Sequence, residues 1–297
     1  MNLKMPKVEK HYEHLRKPEW LKISLRSTAN TAEVEQIVEG RCLHTICTSG
    51  MCPNKAECWS RRTATFMILG DICTRNCRFC ATQTGRPLPP DKSEPQRVAH
   101  SVQLMNLRHV VVTSVTRDDL PDQGAAHWAA TVEAIRQSCP QATIELLISD
   151  MDAVESRLDT ILASKPDIIG HNIETVSRLT PALRSKATYS KSLATLSYLS
   201  SKGAVVKSGL MVGLGETEEE VEATMRDLRA AGVRILTIGQ YLQPTAEHYP
   251  VAEYITPQQF EAYKAMALQI GFDFCASAPL VRSSYLADQA AAATINR

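Results

Sequence analysis

Cysteines are the residues in this chain with the greatest capacity for chemistry, because their thiolates act as nucleophiles and metal ligands. The chain has 297 residues and nine cysteines, seven of which fall between positions 42 and 80. The nine are Cys42, Cys47, Cys52, Cys58, Cys73, Cys77, Cys80, Cys139 and Cys275. The stretch Met1–Arg16 mixes lysine with glutamate and lacks the apolar core of a secretory signal, so we expect a reducing, cytoplasmic location. In that setting clustered thiols indicate metal ligation in preference to disulfides.

One triplet of cysteines has the spacing C-x3-C-x2-C, in the segment Cys73-Thr74-Arg75-Asn76-Cys77-Arg78-Phe79-Cys80. Three thiolates on one short loop can bind three irons of a four-iron cluster, since cysteine thiolates hold iron–sulfur clusters. The fourth iron would lack a protein ligand nearby, and an open coordination position is typical of a catalytic metal. Zinc and chance clustering are the alternatives, but only Cys77 and Cys80 have the C-x2-C spacing of a structural zinc site.

A second triplet, Cys47-x4-Cys52-x5-Cys58, also supplies three thiolates without an obvious fourth ligand. From spacing alone, Cys42 is the nearest candidate, with four residues between it and Cys47. Two neighbouring triplets indicate two metal clusters more strongly than either triplet does by itself. The isolated thiols of Cys139 and Cys275 are interpreted as inert and buried, at a helix end and in a strand.

The elements that position these cysteines follow a regular pattern. From Ala64 onward, short apolar segments rich in β-branched residues alternate with longer segments of helical periodicity, which is typical of parallel strands buried on both faces. The predicted strands are Ala64–Gly70, His109–Thr113, Thr143–Ser149, Asp167–Asn172, Val205–Val212 and Arg234–Gly239. Strand followed by helix, repeated in this way, predicts a parallel α/β fold, either an open doubly wound sheet or a partial barrel. In both architectures the active site forms at the carboxyl ends of the strands.

The overall composition excludes several classes of protein. With 44% hydrophobic and 22% charged residues, the chain is typical of a globular protein and not of a disordered one. No apolar run approaches the roughly 18–20 residues that span a bilayer, so we expect no membrane partner. A net charge of +1 does not indicate a nucleic-acid partner either.

The C-x3-C-x2-C motif after the first predicted strand resembles the signature of radical S-adenosylmethionine (SAM) enzymes, and further segments resemble the lipoyl synthase family in particular. These segments are Leu43–Cys47, Cys52–Trp59, Ala64–Thr74, Thr113–Leu120, His171–Thr175, Lys207–Glu216, Gly239–Thr245 and Arg282–Tyr285. The resemblance runs from Leu43 to Tyr285, nearly the whole chain. Two departures concern subfamily detail. Thr48-Ser49-Gly50 stands where the family commonly has two acids and an alanine, and Cys42 has no counterpart.

The resemblance implies two [4Fe-4S] clusters with different tasks. The first would be bound by Cys73, Cys77 and Cys80, here called the SAM triplet, and its open iron would bind SAM. Reductive cleavage of SAM would give a 5′-deoxyadenosyl radical, which removes hydrogen from C6 or C8 of an octanoyl chain. The cofactor then does the difficult chemistry, while the protein positions the chain and excludes water.

The second, auxiliary cluster would donate the sulfur. It would be bound by Cys47, Cys52 and Cys58, here called the donor triplet. The resemblance implies that its fourth ligand is Ser284, with Ser283 as the alternative. A hydroxyl oxygen matches this site less well than a thiolate, so it can depart when the cluster is dismantled. We therefore expect a serine, and not the nearest spare cysteine, to complete this site.

The resemblance also places residues around SAM. Phe79 would lie near the adenine, with plain core packing as the alternative. Asn172 and Glu174 would lie near the ribose and methionyl groups, unless they form a helix cap and a solvated acid. Arg184 would pair with the SAM carboxylate in a bidentate manner, unless it is a surface arginine. The segment Gly213-Leu214-Gly215-Glu216 would expose bare backbone to SAM.

Two basic features carry further hypotheses. Lys207 lies on a predicted strand and would need a partner if it points into the barrel. A role for it near the clusters is a hypothesis. The pair Arg61-Arg62 either faces water or helps to dock an acidic carrier domain by charge complementarity.

Together these features predict a partial, TIM-like (β/α) barrel of roughly six parallel units, of the radical SAM type. An N-terminal extension, residues 1–62, would carry the auxiliary cluster over the mouth of the barrel. The barrel itself would span 63–280, and 281–297 would form a C-terminal segment with the Arg-Ser-Ser-Tyr motif.

The implied activity is insertion of two sulfur atoms into a protein-bound octanoyl group. The implied partners are octanoylated carrier domains, namely 2-oxoacid dehydrogenase E2 subunits and the glycine cleavage H protein, with flavodoxin or a ferredoxin-type protein as reductant. A biotin-synthase-like enzyme is one alternative, against which the terminal Arg-Ser-Ser-Tyr and the x4/x5 triplet argue. A non-enzymatic iron–sulfur carrier is the other, but such a protein would saturate each cluster with four cysteines.

Overall fold

A sheet of eight strands forms the centre of the computed structural model, which describes residues 16–23, 28–61 and 63–295. The strands are β1 (His44–Thr45), β2 (Thr65–Ile68), β3 (His109–Ser114), β4 (Thr143–Leu147), β5 (Ile168–Gly170), β6 (Val206–Val212), β7 (Ile235–Gln240) and β8 (Phe274–Ser277). They lie in chain order, with β2 to β8 parallel and β1 antiparallel to β2. Within the described ranges no pairing joins β8 back to β1 or β2, so the barrel is partial.

The predicted parallel α/β architecture is confirmed, and all six predicted strands are present as β2 to β7. The sheet nevertheless has seven parallel strands where we expected six. Strand β8 buries Cys275 and Ser277 but leaves Phe274 and Ala276 half-exposed, so it lacks the continuous apolarity of the other strands. Strand β1 has only two residues, too few to show any periodicity.

Helices follow the parallel strands and pack on one another in succession around the sheet. The helices of the described chain are α1 (Ala29–Glu39), α2 (Ile46–Ser49), α3 (Lys55–Ser60), α4 (Glu94–Leu104), α5 (Ala125–Ser138), α6 (Glu155–Ala163), α7 (Thr180–Leu183), α8 (Tyr189–Ser201), α9 (Glu218–Ala230), α10 (Pro257–Ile270) and α11 (Ala287–Ile295). Within the described ranges, none is both long enough and apolar enough to cross a membrane. The predictions made for Arg62 and, apart from its last residue, for Met1–Arg16 lie outside the described residues.

Short-range signals set the helix ends. The Thr217 side chain accepts the Glu220 N–H, and the Glu220 carboxylate accepts the Thr217 N–H, which together form a capping box at the start of α9. Thr256 caps α10, which begins at Pro257 and ends before Gly271. Gly271 has a φ of 103°, a left-handed conformation that glycine adopts at low cost.

The N-terminal extension lies along the edge of the sheet, and not over the carboxyl ends of the strands where we expected it. Strand β1 pairs His44 with Met67 and Thr45 with Phe66. Because β1 runs antiparallel to β2, the chain that follows it continues beside the amino-terminal half of β2. The donor triplet therefore begins near the amino-terminal end of the barrel, whereas the SAM triplet follows the carboxyl end of β2.

The chain that follows β8 crosses the unpaired edge of the barrel. Near its start, the Asn54 side-chain amide donates to the Leu280 carbonyl at 2.7 Å and ties it to the extension. Further on, Ala290 of α11 packs with Ile168 and Ile235, the first residues of β5 and β7. Since these residues mark the amino-terminal end of the barrel, the segment between β8 and α11 runs from one end of the barrel to the other.

Candidate functional site

The SAM triplet lies in a loop that is anchored to the barrel at Cys73. The Cys73 N–H donates to the Gln83 carbonyl at 2.8 Å, and the Gly85 N–H donates to the Cys73 carbonyl at 3.0 Å. The Cys73 sulfur accepts N–H groups from Arg75 and Thr116, each at 3.4 Å. Backbone donors of this kind stabilise a thiolate ligand and tune the cluster that it holds.

Arg75, inside the cysteine motif, fixes the loop to the ends of two strands. Its Nε and Nη2 donate to the two oxygens of Asp118, which follows β3, at 2.8 and 2.9 Å. Its Nη1 lies 2.8 Å from Oδ1 of Asp150, which follows β4. The side chains of Arg75 and Asp150 are 5% and 0% exposed. Burial alone would raise the pKa of Asp118, but the Arg75 hydrogen bonds and charge hold it below the ordinary value.

The thiols of the SAM triplet lie close enough to influence one another. Burial, the largest effect, raises the pKa of Cys80, and the neighbouring Cys77 and Cys73 raise it further. Burial also raises the pKa of Cys77, against contributions from hydrogen bonding at Ser185 and the charge of Arg184. Cys77 and Cys80, with their raised pKa values, are therefore protonated thiols that a metal would deprotonate on binding.

This donor set fits an iron–sulfur cluster, whose irons are each bound by a separate thiolate, better than it fits a single metal ion. Within 16–23, 28–61 and 63–295, no group of three or more His, Cys, Asp or Glu side chains has the spacing of a metal site. All nine cysteines are free thiols.

The residues that the resemblance places around SAM lie together beside Cys77. Glu174 has a φ of 69° and is paired onto β6, where its N–H donates to the Gly209 carbonyl at 3.0 Å. Such a strained conformation persists only where the surroundings enforce it. Burial raises the pKa of Glu174, while the charge of Arg184 and a hydrogen bond with Asn172 act in the opposite direction. Glu174 and Arg184 both act on the thiol of Cys77, so the structure brings these groups to the SAM triplet.

Arg184 is held through Nη1, which donates to the Ile173 and Asn172 carbonyls at 3.4 and 3.5 Å. Its Nη1 donates to Ser192 Oγ at 2.8 Å, whereas its buried Nε has no hydrogen-bond partner in the part of the chain that the structure describes. A buried donor without a partner is costly, and an anionic ligand would satisfy it.

His171 supports this arrangement, a role that sequence reasoning missed. Its Nδ1 donates to the Ile148 carbonyl at 3.0 Å, and its Nε2 lies 2.9 Å from Ser192 Oγ. Burial, followed by the charge of Arg184, lowers the pKa of His171 to about 4. A neutral ring that donates at Nδ1 must accept at Nε2, so the Ser192 hydroxyl donates to His171 and accepts from Arg184.

Phe79 and Gly213, which the resemblance places at SAM, both contact other residues of the protein. Phe79 is half-buried and packs against the core, in keeping with its alternative interpretation. A Cβ at Gly213 would lie 2.1 Å from Nε2 of Gln240 and 2.4 Å from the Glu253 carbonyl oxygen. The Glu216 carboxylate accepts the N–H of Gly213. This glycine is therefore required by its protein neighbours and is not bare backbone.

The donor triplet is gathered by two short helices. Cys47 lies in α2, Cys58 lies in α3, and the Cys52 N–H donates to the Cys47 carbonyl at 3.1 Å. Burial raises the pKa of Cys52, and the Cys47 thiol raises it further. Burial, followed by the charges of Cys47 and Cys52, raises the pKa of Cys58 to about 12. The three thiols therefore share one environment.

The Arg-Ser-Ser-Tyr motif forms a turn beside the donor triplet, closed by the Tyr285 N–H, which donates to the Arg282 carbonyl at 2.9 Å. Ser284 accepts a hydrogen bond from Thr65 Oγ1 at 2.8 Å and lines the same cavity of about 310 Å³ as Cys58. The Tyr285 hydroxyl donates to the Glu57 carboxylate at 3.1 Å. Cys42 is exposed. This arrangement supports Ser284 as the fourth group of the donor site.

Arg282 adds a positive charge to the donor site, which sequence reasoning also missed. Its side chain is half-buried, and no ion pair joins it to a carboxylate in the described chain. Burial lowers the pKa of Arg282, and the thiol of Cys52 acts in the opposite direction. A partly desolvated cation without a carboxylate favours an anion beside it, such as thiolates or a cluster that they bind.

Lys207 has its partner inside the barrel. Its Nζ lies 2.6 Å from Oε1 of Glu145, and the two side chains are 4% and 3% exposed. His109 Nε2 lies 3.4 Å from the other Glu145 oxygen. Burial opposes ionisation of Glu145, but the charge of Lys207 and the contact with His109 lower its pKa. Arg61, the described member of the basic pair, is exposed.

Known proteins are similar to this chain over most of its length. Residues 67–228 match the family model of the radical SAM superfamily. The lipoyl synthase of Bacteroides thetaiotaomicron is 57% identical over 277 residues, which cover 93% of this chain and 98% of that protein. The lipoyl synthase of Flavobacterium psychrophilum is 54% identical over 274 residues, which cover 92% of this chain and 94% of that protein.

Solved structures share the fold at low identity. Methylornithine synthase (PylB) superposes with a TM-score of 0.56 and 12% identity, over 71% of this chain and 70% of that one. HydG, a maturase of the [FeFe]-hydrogenase, has a TM-score of 0.55 and 11% identity, over 84% of this chain and 68% of that one. These likenesses concern the fold alone. The matched family model and the relatives of much higher identity show that this chain belongs to the lipoyl synthase family of radical SAM enzymes.

Proposed function

We propose that this chain forms lipoyl groups by inserting two sulfur atoms, at C6 and C8, into an octanoyl group carried on a lysine of another protein. The observation that supports this most directly is the unequal completion of the two thiol triplets. The SAM triplet lies beside the side chains of Arg184 and Glu174, whereas the donor triplet lies beside a serine hydroxyl. When bound, the two clusters would supply the electron that cleaves SAM and the sulfur that is inserted.

The pair of Arg184 and Glu174 beside Cys77 suits the amino-acid end of SAM, which carries one ammonium and one carboxylate. The unpartnered Nε of Arg184 would donate to the carboxylate, and Glu174 would accept from the ammonium. Because His171 and Ser192 hold Arg184 in place, little side-chain entropy would be lost when SAM binds.

Ser284 is suited to act as a ligand that first binds iron and later leaves it. The Thr65 hydroxyl donates a hydrogen bond to Ser284 Oγ. Ser284 therefore keeps its own proton, which it would release on binding iron. The same hydrogen bond would stabilise the oxygen while it carries negative charge. On departure, the oxygen would regain a proton and remain hydrogen-bonded to Thr65.

Partners and location follow from this activity. We propose octanoylated carrier domains, from 2-oxoacid dehydrogenase E2 subunits and the glycine cleavage H protein, as substrates. Electrons would come from flavodoxin or a ferredoxin-type protein, and the reaction would take place in the cytoplasm. Arg61 lies exposed at the cavity that Cys58 and Ser284 line, where it could contact an acidic carrier.

The test is anaerobic turnover of the cluster-reconstituted protein with dithionite, SAM and an octanoyl-lysine carrier peptide. We expect mass spectrometry to show two added sulfurs on the peptide and 5′-deoxyadenosine in solution. SAM cleavage without any sulfur transfer, to this peptide or to its protein carrier, would favour a biotin-synthase-like activity on a free small molecule. A reconstituted protein that binds iron but does not cleave SAM would favour an iron–sulfur carrier.

A further inference from the structure

The turn Arg282–Tyr285 joins Asn172, on the SAM side, to the donor site through two consecutive serines. The Asn172 side-chain amide donates to Ser283 Oγ at 2.7 Å, and the Thr65 hydroxyl donates to Ser284 Oγ at 2.8 Å. Each anchor lies far from the turn in sequence, one after β5 and the other at the start of β2. The orientation of the turn is therefore decided by tertiary contacts.

The Asn172 anchor is itself rigid. A Cβ at Gly209 of β6 would lie only 2.7 Å from Oδ1 of Asn172, so the amide packs directly on the strand. Two residues further along the chain, the backbone of Glu174 is paired onto β6. A side chain fixed by these contacts cannot follow the turn if the turn moves, so Ser283 must conform to Asn172.

The other contacts of the segment hold the residues on either side of the turn and do not set the orientation of the turn itself. Upstream, a Cβ at Gly239 would lie 2.1 Å from the Val281 carbonyl oxygen, so the chain passes tightly over β7 at that point. Downstream, Tyr285 reaches the exposed Glu57. Between these points, the side-chain hydrogen bonds of the two serines set which hydroxyl faces Cys58.

We propose that Ser283 is a positioning residue for the donor site: by accepting a hydrogen bond from Asn172, it orients the turn so that Ser284 faces the donor triplet. This inference rests on the proposed function, because it concerns the presentation of the donor site's fourth ligand. It also makes Asn172 a shared element, two residues from Glu174 on the SAM side and hydrogen-bonded to Ser283 on the donor side.

The test compares Ser283→Ala with Ser283→Thr, which keeps the hydroxyl, and with Ser201→Ala, which removes an exposed serine hydroxyl from the end of α8. In the reconstituted enzyme, we expect Ser283→Ala to lower sulfur insertion about tenfold, a loss of the size that one hydrogen bond supports. SAM cleavage should stay within about threefold of wild type, because Ser283 does not contact the SAM triplet. Ser283→Thr and Ser201→Ala should retain both activities.

Two readouts do not depend on activity. Mössbauer spectroscopy of the donor cluster should lose its oxygen-ligated iron component in Ser283→Ala and keep it in Ser283→Thr. In the protein without clusters, hydrogen exchange of the peptide that contains Tyr285 should be faster in Ser283→Ala than in Ser201→Ala, since the turn would lose an anchor.

An unchanged Mössbauer component together with unchanged exchange in Ser283→Ala would overturn the inference. If wild type shows no oxygen-ligated iron, the assignment of Ser284 in the proposed function fails first, while the exchange comparison still reports whether Ser283 orients the turn. If Ser283→Ala does not fold, Asn172→Ala removes the same hydrogen bond from its other side and should produce the same exchange change.

Discussion

The two cysteine triplets are attached to the fold in different ways. The SAM triplet lies on one loop, which buried ion pairs of Arg75 and the backbone hydrogen bond from Thr74 to Thr116 fasten to the carboxyl ends of β3 and β4. The donor triplet lies on two short helices at the sheet edge, and its fourth side is formed by residues more than 200 positions later in the chain. A cluster that survives each turnover suits the first arrangement, and one that is dismantled suits the second.

The largest expected effect separates the two triplets by activity. Cys77→Ala should abolish both SAM cleavage and sulfur insertion, because the cluster that binds SAM would lose a ligand. Cys52→Ala should abolish sulfur insertion but leave formation of 5′-deoxyadenosine. Iron analysis and product assays check this, with the isolated thiol variant Cys139→Ala as a control that should behave as wild type. Loss of SAM cleavage in Cys52→Ala would show that the two sites are not separable.

The rigid attachment of the SAM loop can be broken at Asp118. Asp118→Ala leaves the buried Arg75 with only part of its counter-charge, and we expect a loss of about 3 kcal/mol in the free energy of unfolding. Denaturant unfolding measures this loss. Glu222→Ala, which removes an exposed partner of Arg226, should change stability by less than about 0.5 kcal/mol. Equal loss of iron from the donor site and the SAM site in Asp118→Ala would contradict the different attachment of the two triplets.

The neutral state of His171 predicts a pH dependence on the SAM side. Because its pKa is about 4 in the fold and 6.5 as the ordinary value, the unfolded chain binds a proton between these pH values that the folded chain does not. Stability should therefore fall as the pH falls from about 6.5 toward 4, by up to about 3 kcal/mol. Unfolding curves at several pH values measure this fall.

The matched variants are His171→Asn, which keeps a donor for the Ile148 carbonyl, and His100→Asn, at an exposed histidine. The part of the pH dependence due to His171 should disappear in the first and persist in the second. An equal slope in all three proteins would contradict a neutral, buried His171.

The smallest expected effect concerns Cys42. Cys42→Ala should leave iron content and turnover close to wild type, because the thiol is exposed and Ser284 lies at the cavity that Cys58 lines. Ser284→Ala should reduce sulfur insertion and alter the donor cluster. Loss of the second cluster in Cys42→Ala, but not in Ser284→Ala, would reverse the ligand assignment.

Local patterns in the sequence predicted much of the framework. The six strands β2 to β7 could be derived because burial on both faces produces a continuous apolar pattern over a few residues. Strand β8 could not, since its alternating burial depends on neighbours distant in sequence. The resemblance, and not periodicity, carried the expectations for Asn172, Glu174 and Arg184, which the structure brings together beside Cys77.

The sequence by itself determined which atoms could hold iron, because the spacing of each cysteine triplet is a local property of the chain. Tertiary structure alone decided how those thiols are supported. Arg75 meets Asp118 and Asp150 only because parallel strands end at the same edge of the sheet. Likewise, Ser283 and Ser284 turn toward opposite sites because Asn172 and Thr65, each more than 100 positions away, offer the hydrogen-bond donors that fold-level packing brings to them.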